Sequence, residues 1–220
     1  MRILAIETSG PIGGVAILES ERLLAERIFE RGMVHGRELA PSIARLSEDT
    51  GVSLQALDLV AVDIGPGSFT GLRVGLAAAK GLCLALSRPI LGVVSLDAMA
   101  ESARGRGSIL CPVLDAKWDQ VYGALYAPNR ISEIHAEPPE EFVRGIPLEA
   151  VVFGDALEKH GDLFGNRPRL GREFAHPQPS VLGRLAAREF MAGRRDDVRT
   201  LVPLYPRPTE AELKAATRRP

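Results

Sequence analysis

The sequence predicts an α/β fold in which mixed β-sheets are flanked by helices. Three short apolar runs between residues 2 and 29 are separated by glycine or polar turns, which is typical of an antiparallel meander of strands. Residues 35–50 place apolar side chains at helical spacing. The apolar run 57–64 then predicts a buried strand that follows a helix and therefore lies parallel to an earlier strand. Together these observations give the order β-β-β-α-β-α.

A turn with two glycines and a proline joins strand 57–64 to the next predicted helix. Gly65, Pro66 and Gly67 predict a sharp change of direction, and Ser68 or Thr70 can cap the helix that follows. Backbone N–H groups at such a helix start can bind an anion. The spacing matches neither a Walker loop nor a dinucleotide fingerprint, whose glycines lie one residue closer together. A structural turn and a ligand-binding loop therefore stay equally open.

The helix over residues 70–86 has a side that is poor in side chains. Gly71, Gly75 and Ala79 lie four residues apart, with Ala78 and Leu82 beside them. Because glycine inside a helix costs roughly 1 kcal/mol relative to alanine, close packing against a neighbour must offset that cost. The neighbour is either another helix of this chain or a helix of a partner subunit, and the sequence does not separate the two.

The rest of the chain predicts a second lobe. The boundary falls at residues 105–107, which gives an N-terminal lobe of residues 1–104 and a C-terminal lobe of residues 105–220. Two helices are expected to begin at serine caps, over 95–103 with Ser95 and over 180–192 with Ser180, and the latter helix is expected to pack back toward the first lobe. The predicted strands of the second lobe span residues 109–114, 120–127 and 151–153.

Composition excludes several classes of protein. A net charge of −1 gives no overall basic field for nucleic acid or membrane. Cys83 and Cys111 lie in apolar runs far apart, which favours buried thiols over a metal or redox pair. The N-terminus shows no signal-peptide pattern, and Arg73 and Lys80 interrupt the apolar stretch 72–86, which is short for a bilayer. We therefore expect a cytoplasmic protein without a membrane segment.

Several motifs in chain order resemble the TsaB (YeaZ) family, whose members serve tRNA threonylcarbamoyladenosine synthesis in bacteria. The most specific of them is the run 65–76. The others are Ile3-Leu4-Ala5-Ile6-Glu7-Thr8-Ser9, His35-Gly36-Arg37-Glu38-Leu39-Ala40-Pro41, Gly92-Val93-Val94-Ser95-Leu96, Asp115-Ala116-Lys117 with Val121-Tyr122, and Pro203-Leu204-Tyr205. The resemblance implies the actin/sugar-kinase/Hsp70-like fold, with two ribonuclease-H-like lobes.

The resemblance also implies where a nucleotide would bind. Superfamily members that do chemistry bind ATP between lobes, with an acidic residue after the first strand and glycine turns at the phosphates. The corresponding residues here are Glu7, Thr8, Ser9, Gly65, Gly67 and Ser68. The catalytic paralogue TsaD carries a histidine pair four residues apart, whereas this chain has His35 and then Leu39. We therefore expect no metal site and no catalytic residue, no required cofactor, and at most weak ATP or ADP binding.

The implied role is that of a non-catalytic subunit required for threonylcarbamoyladenosine formation at adenosine 37 of tRNAs that read codons starting with A. It would bind and activate TsaD, and it would join the ATPase TsaE in a larger complex. It would contact tRNA only through that complex. When TsaD is absent, it would form a homodimer. We also expect Gly75→Leu to block TsaD binding without harming the fold. The expected interface residues are His35, Leu39, Ile43, Leu46, Gly71, Leu72, Gly75, Ala78, Ala79 and Leu82.

The sequence also raises three alternative functions. An ATP-dependent kinase or transferase of the same fold would need a carboxylate at the cleft, for which Asp63 and Asp115 are the candidates. No histidine pair supports a metalloprotease. A direct tRNA contact would need a basic patch, and we prefer a solvated helix face because acidic residues are interspersed and no aromatic side chain interleaves with the arginines. The arginines in question are Arg184, Arg188, Arg194, Arg195 and Arg199.

Overall fold

The first half of the chain forms a five-stranded mixed sheet. A computed structural model describes residues 1–29 and 35–206. The strand order is β3-β2-β1-β4-β5, in which the first three strands are antiparallel and β4 and β5 run parallel to β1. The predicted meander and the parallel strand are thus confirmed. The strands are β1 (Arg2–Glu7), β2 (Gly14–Glu19), β3 (Arg22–Ile28), β4 (Leu59–Gly65) and β5 (Ile90–Val94).

A second sheet repeats this topology without the fifth strand. Its order is β8-β7-β6-β9, with an antiparallel meander and with β9 parallel to β6. The predicted strand over 120–127 is too long, because regular pairing stops at Gly123 and resumes only as a bridge between Leu110 and Tyr126. The short β8 was not predicted. The strands are β6 (Leu110–Lys117), β7 (Gln120–Gly123), β8 (His135–Glu137) and β9 (Val151–Phe153).

Helices cover both sheets and separate them. α1 and α2 pack on one face of the first sheet, α3 and α6 cover its other face, where α3 also packs on the second sheet, and α4 and α5 cover the outer face of the second. α6 packs on β1 and β2. The first sheet lies before the predicted lobe boundary and the second after it, while the boundary itself stays a prediction. The helices are α1 (His35–Thr50), α2 (Phe69–Leu86), α3 (Ser95–Ser102), α4 (Pro139–Arg144), α5 (Ala156–His160) and α6 (Pro179–Met191).

The helix starts show where local sequence signals hold and where tertiary contacts override them. Ser68 caps α2 as predicted, because its Oγ accepts the N–H of Gly71 at 3.2 Å. Ser95 is not a cap: it lies inside α3, and its hydroxyl donates to Asp63 instead. Ser180 is not a cap either, because α6 begins at the preceding proline and the Ser180 N–H donates to a glutamate of β3.

α2 is the only helix among the described residues that is long and apolar enough to cross a membrane by length and composition. Leu72, Leu76 and Ala79 on its inner side are nevertheless buried against the first sheet. A third of the helix is buried in this way, and a core helix passes the same test of length and composition.

Candidate functional site

Two carboxyl groups meet at the ends of the adjacent parallel strands β1 and β4. Glu7 and Asp63 are both fully buried. Glu7 Oε1 accepts the N–H and the O–H of Ser9, each at 2.6 Å. Asp63 Oδ1 accepts the hydroxyl of Ser95 and the N–H of Gly65, each at 2.6 Å. The second oxygen of each carboxyl group has no hydrogen-bond partner among the described residues.

Burial keeps this pair from carrying two charges. Burial, and then the charge of Asp63, raise the pKa of Glu7 to about 8. Burial raises the pKa of Asp63 to about 6, against the hydrogen bonds from Ser95 and Gly65. At neutral pH we therefore expect Glu7 to be protonated and Asp63 to be ionised, so that the pocket holds a single charge.

The glycine turn after β4 is pressed onto the loop that follows β1. The Ser68 N–H donates to the Ser9 carbonyl at 2.6 Å, and a Cβ at Gly67 would lie 2.5 Å from the same oxygen. The Gly71 N–H is taken by the Ser68 hydroxyl. Two donors that a phosphate could have used are therefore engaged within the chain.

The predicted nucleotide-binding residues lie together, but buried rather than in an open cleft. Glu7, Thr8, Ser9 and Gly65 are buried, and Gly67 and Ser68 are half-buried. Two clefts were identified elsewhere, one between α3 and α6 that includes Glu101 and Arg184, the other around residues 104–110 and 126–128. Neither is lined by the predicted residues, and nucleotide binding stays a prediction.

The glycine side of α2 faces β1, not another helix. A Cβ at Gly71 would lie 2.0 Å from the Thr8 carbonyl oxygen, and one at Gly75 would lie 2.2 Å from Thr8 Oγ1. The Thr8 hydroxyl donates to the Gly71 carbonyl at 2.8 Å. Close packing explains the glycines, but both helical neighbours considered from the sequence are wrong. Gly75→Leu would disrupt the fold rather than test a partner surface.

Most of the other predicted interface residues are also buried within this chain, so they do not form an exposed partner surface. They belong to the core between α1, α2 and the first sheet because the apolar stripe of an amphipathic helix faces its own sheet. His35 is buried, and its Nε2 donates to the Gly10 carbonyl at 2.8 Å. Only Ala78 and Leu82 are half-buried. The buried residues are His35, Leu39, Ile43, Leu46, Gly71, Leu72, Gly75 and Ala79.

The exposed sides of α1 and α2 form a different surface, which we term the α1–α2 outer face. Small and apolar side chains recur on it among exposed charged residues such as Arg37, Glu48 and Arg73, and a Cβ at Gly81 would meet no atom within 4 Å. The sequence contained a signal for it, because the exposed Arg73 lies on the side of α2 opposite Gly75. The members of this face are Ala40, Pro41 and Ala44 of α1, and Ala77, Gly81 and Leu84 of α2, all of them exposed.

Neither candidate catalytic carboxylate is free. Asp63 is buried in the pair described above. Asp115 at the end of β6 forms an ion pair with Lys117 at 2.6 Å, and its N–H donates to Asp155 Oδ1 at 2.8 Å. Among the residues that the structure describes, no group of three or more histidine, cysteine, aspartate or glutamate side chains could hold a metal ion. The kinase or transferase alternative gains no support.

The arginines near the end of α6 are largely engaged within the chain. Arg188 pairs with Glu101 and Glu21, and Arg194 pairs with Glu189 and Asp196. This agrees with a solvated, charge-balanced helix face. The expectation that no aromatic side chain accompanies these arginines is wrong, because the guanidinium of Arg195 lies 3.5 Å above the Phe190 ring.

Comparison with known proteins places the chain in a family. The tRNA threonylcarbamoyladenosine biosynthesis protein TsaB of Bacillus subtilis is 33% identical over 227 residues, which cover 97% of each protein. The chain belongs to the TsaB (YeaZ) family. A model of a related family, TsaD, described as tRNA N6-adenosine threonylcarbamoyltransferase, matches residues 30–137.

Solved structures agree with membership in the TsaB family. YeaZ from Pseudomonas aeruginosa superimposes with a TM-score of 0.81 at 27% identity, covering 93% of this chain and 99% of that one. A second structure, of a Pseudomonas aeruginosa protein with similarity to peptidase YeaZ, gives a TM-score of 0.84 at 26% identity, covering 94% and 99%. The actin/sugar-kinase/Hsp70-like fold is thereby confirmed, and as a TsaB family member the chain is involved in tRNA threonylcarbamoyladenosine biosynthesis.

Proposed function

We propose that this chain is the non-catalytic accessory subunit of the tRNA threonylcarbamoyl transferase complex. It binds and activates TsaD, and it supports modification of adenosine 37 in tRNAs that read codons starting with A. The contact is made by the α1–α2 outer face, not by the residues that the sequence pattern first indicated.

The observation that carries this proposal is the exposed glycine of α2. Gly81 lies inside the helix, where glycine costs roughly 1 kcal/mol relative to alanine. No atom of the chain lies within 4 Å of the position that its Cβ would occupy, so no intramolecular packing offsets the cost. Beside it, Leu84 is 62% exposed, and Ala77 and Ala44 add further small exposed side chains. A partner helix that approaches this face closely would account for these features.

The burial of His35 and Asp63 supports the proposal that this chain does not catalyse the transfer itself. His35 is committed to the Gly10 carbonyl, and the residue one turn later is a core leucine. One oxygen of Asp63 accepts hydrogen bonds from Ser95 and Gly65, and the carboxyl group is fully buried, away from solvent. Catalysis therefore belongs to TsaD in this proposal.

The remaining parts of the proposal rest mainly on membership in the TsaB family. TsaE joins as a further subunit, and tRNA is reached through the assembled complex in the cytoplasm. Without TsaD, the α1–α2 outer face is covered by a second copy of this chain, because an exposed apolar surface favours association. The chain requires no cofactor, and at most it binds ATP or ADP weakly, because the Ser68 N–H is already donated to Ser9.

The test is reconstitution of tRNA modification from purified components of one organism. Supplied with tRNA and an activated threonylcarbamoyl donor, TsaD and TsaE with this chain are expected to modify the tRNA, whereas this chain alone, or the mixture without it, is inactive. Gly81→Leu is expected to reduce the rate at least about tenfold, and Glu140→Leu, which adds a leucine at an exposed position of α4, is the matched control. Full activity without this chain, or modification by this chain alone, would contradict the proposal.

A further inference from the structure

The first turns of α2 carry an exposed arginine that is held in one position. The guanidinium of Arg73 lies 3.6 Å from the centre of the Phe69 ring, and its Nε donates to the Tyr205 hydroxyl at 3.3 Å. Tyr205 belongs to the segment after α6, and its ring packs on Phe69 with the centroids 5.2 Å apart. Because its orientation is already fixed, this guanidinium loses little conformational freedom when it binds a partner group.

No carboxylate neutralises this arginine. Arg188 and Arg194 near the end of α6 each pair with two acidic side chains, whereas Arg73 forms no ion pair with any residue that the structure describes. Its two terminal nitrogens, Nη1 and Nη2, likewise donate to no acceptor in residues 1–29 and 35–206. They form the planar fork that binds a carboxylate through two parallel hydrogen bonds.

The charges of α1 and α2 also favour an acidic partner. α2 has two cationic side chains, Arg73 and Lys80, and no acidic one. Two of the three acidic residues of α1 are paired, one with an arginine of α1 and the other with an arginine of β3. The remaining charged residues of α1 are one arginine and one glutamate, Arg45 and Glu48. The surface is therefore net positive, and an acidic surface complements it.

Arg73 lies in line with the small residues of the α1–α2 outer face. Ala77 and Gly81 follow it at intervals of four residues, so the three residues lie on one side of α2. All three are exposed. A partner helix that packs closely on Ala77 and Gly81 can therefore present a carboxylate to Arg73.

The same site is poorly suited to a nucleic acid. Phe69 is 42% exposed, but the guanidinium of Arg73 stacks on its ring and Tyr205 packs on it as well. Single strands bind to free aromatic faces, and duplexes need several cations that reach phosphates. Here one fixed arginine adjoins small apolar side chains. A protein carboxylate fits this surface better than a phosphate backbone.

We propose that Arg73 forms an ion pair with an aspartate or glutamate of TsaD, and that this pair sets the register of the partner helix on the α1–α2 outer face. Phe69 and Tyr205 are positioning residues, because they hold the guanidinium and leave its terminal nitrogens for the carboxylate. This inference rests on the proposed function, since TsaD is the partner assigned to the face that contains Gly81. It adds the chemistry of the group that TsaD supplies.

Binding of TsaD to the full chain, followed by surface plasmon resonance, tests the role of Arg73. Arg73→Ala should weaken binding at least about fivefold, and Arg73→Lys should recover only part of the loss, because an ammonium group lacks the planar fork. Arg144→Ala, at an exposed arginine of α4, is the matched control and should bind like the wild type. Tyr205→Phe removes only the acceptor of Nε, so it should weaken binding about two- to threefold in the wild type and not at all in Arg73→Ala.

Charge reversal identifies the partner group. Arg73→Glu should bind more weakly than Arg73→Ala, and it is tested against TsaD variants that each change one exposed aspartate or glutamate to arginine. One of these variants is expected to bind Arg73→Glu at least about fivefold more tightly than wild-type TsaD does. A merely structural role of Arg73 would not produce this rescue.

The outcomes separate this inference from the proposed function. Wild-type affinity in Arg73→Ala, together with weak binding by Gly81→Leu, would overturn the inference and leave the proposed function standing. A loss of binding in Arg73→Glu that no TsaD variant reverses would also overturn it, because the arginine would then have no carboxylate partner. Failure of the wild-type chain to bind TsaD would overturn both.

Discussion

At the scale of single residues, the glycines of α2 have opposite environments. Gly71 and Gly75 are pressed against Thr8, where any Cβ would overlap backbone or hydroxyl oxygen. Gly81 faces open solvent in the same helix. The residue type is the same, but the first two are required by the fold of this chain and the third is not. Substitution separates these roles.

Alanine at the two kinds of position should change stability in opposite directions. Gly71→Ala is expected to lower the free energy of unfolding by about 1–3 kcal/mol, because a methyl group would collide with the Thr8 carbonyl. Gly81→Ala is expected to raise it by up to about 1 kcal/mol through helix propensity. Urea denaturation of both variants and the wild type measures this. Equal effects at the two positions would contradict the assigned packing.

The buried carboxyl pair predicts a pH dependence with a defined sign. The pKa of Glu7 rises from an ordinary 4.5 to about 8 in the folded chain, and that of Asp63 from 3.8 to about 6. The folded state therefore binds these protons more tightly, and their stabilising contribution is lost as pH rises. The free energy of unfolding should decrease between about pH 4 and pH 8, with a slope of up to about 1.4 kcal/mol per pH unit for each proton.

Two substitutions show which carboxyl group causes the decrease in the free energy of unfolding. Glu7→Gln should flatten the decrease between pH 6 and pH 8, because the group that titrates there is removed. Asp63→Asn should shift the remaining decrease to lower pH, because the charge of Asp63 helps to raise the pKa of Glu7. Denaturant unfolding at several pH values provides the measurement. A Glu7→Gln profile that runs parallel to the wild type would exclude this titration.

The family resemblance grouped Glu7, Thr8, Ser9, Gly65, Gly67 and Ser68, and these residues do lie together after β1 and at the end of β4. It did not predict that the Ser9 carbonyl would take the Ser68 N–H, or that Ser95 would bind Asp63 rather than cap α3. Both depend on the distance between two strands that are far apart in the chain. Local patterns carry no information on that distance.

At the scale of elements, the segment after α6 returns to the first sheet. Arg194 Nη2 donates to the Gly92 carbonyl at 2.7 Å, and the Gly92 N–H donates to Asp196 Oδ2 at 2.8 Å. Further on, the Leu204 N–H donates to the Ile64 carbonyl at 2.7 Å. The segment thus lies along β5 and the end of β4, fixed at both ends.

Arg194 and Arg195 are expected to differ in whether they hold the segment after α6 against β5. Arg194→Ala is expected to release the segment from β5 and to accelerate chymotrypsin cleavage between residues 196 and 206. Arg195→Ala is the control, because the Arg195 guanidinium stays with Phe190 of α6. Limited proteolysis read by mass spectrometry compares them. Equal cleavage rates in the two variants would show that Arg194 does not hold the segment.

Helices and strands with strong apolar periodicity could be predicted from the sequence. The contacts between them were harder to predict. The first three strands, α1, β4 and α2 follow from apolar spacing and turn residues. The three-residue β8 gives no such signal. The inner side of α2 was misassigned because small residues indicate close packing without indicating the neighbour, which is here a strand end. Arg73 would have located the exposed side of the helix.

At the scale of the whole molecule, five layers alternate between helices and sheets. The α1–α2 outer face terminates one end of this stack, while the β6–β7 hairpin extends from the second sheet. The α1–α2 outer face carries the central claim of this account.

Isothermal titration of TsaD from the same organism into this chain tests that claim most directly, with wild type, Gly81→Leu and Glu140→Leu compared. We predict a stoichiometric complex with the wild type and with Glu140→Leu. Gly81→Leu should keep wild-type stability but bind at least about tenfold more weakly, a loss of about 1.4 kcal/mol. Wild-type affinity in a folded Gly81→Leu variant would contradict the account, because the α1–α2 outer face could not then be the contact.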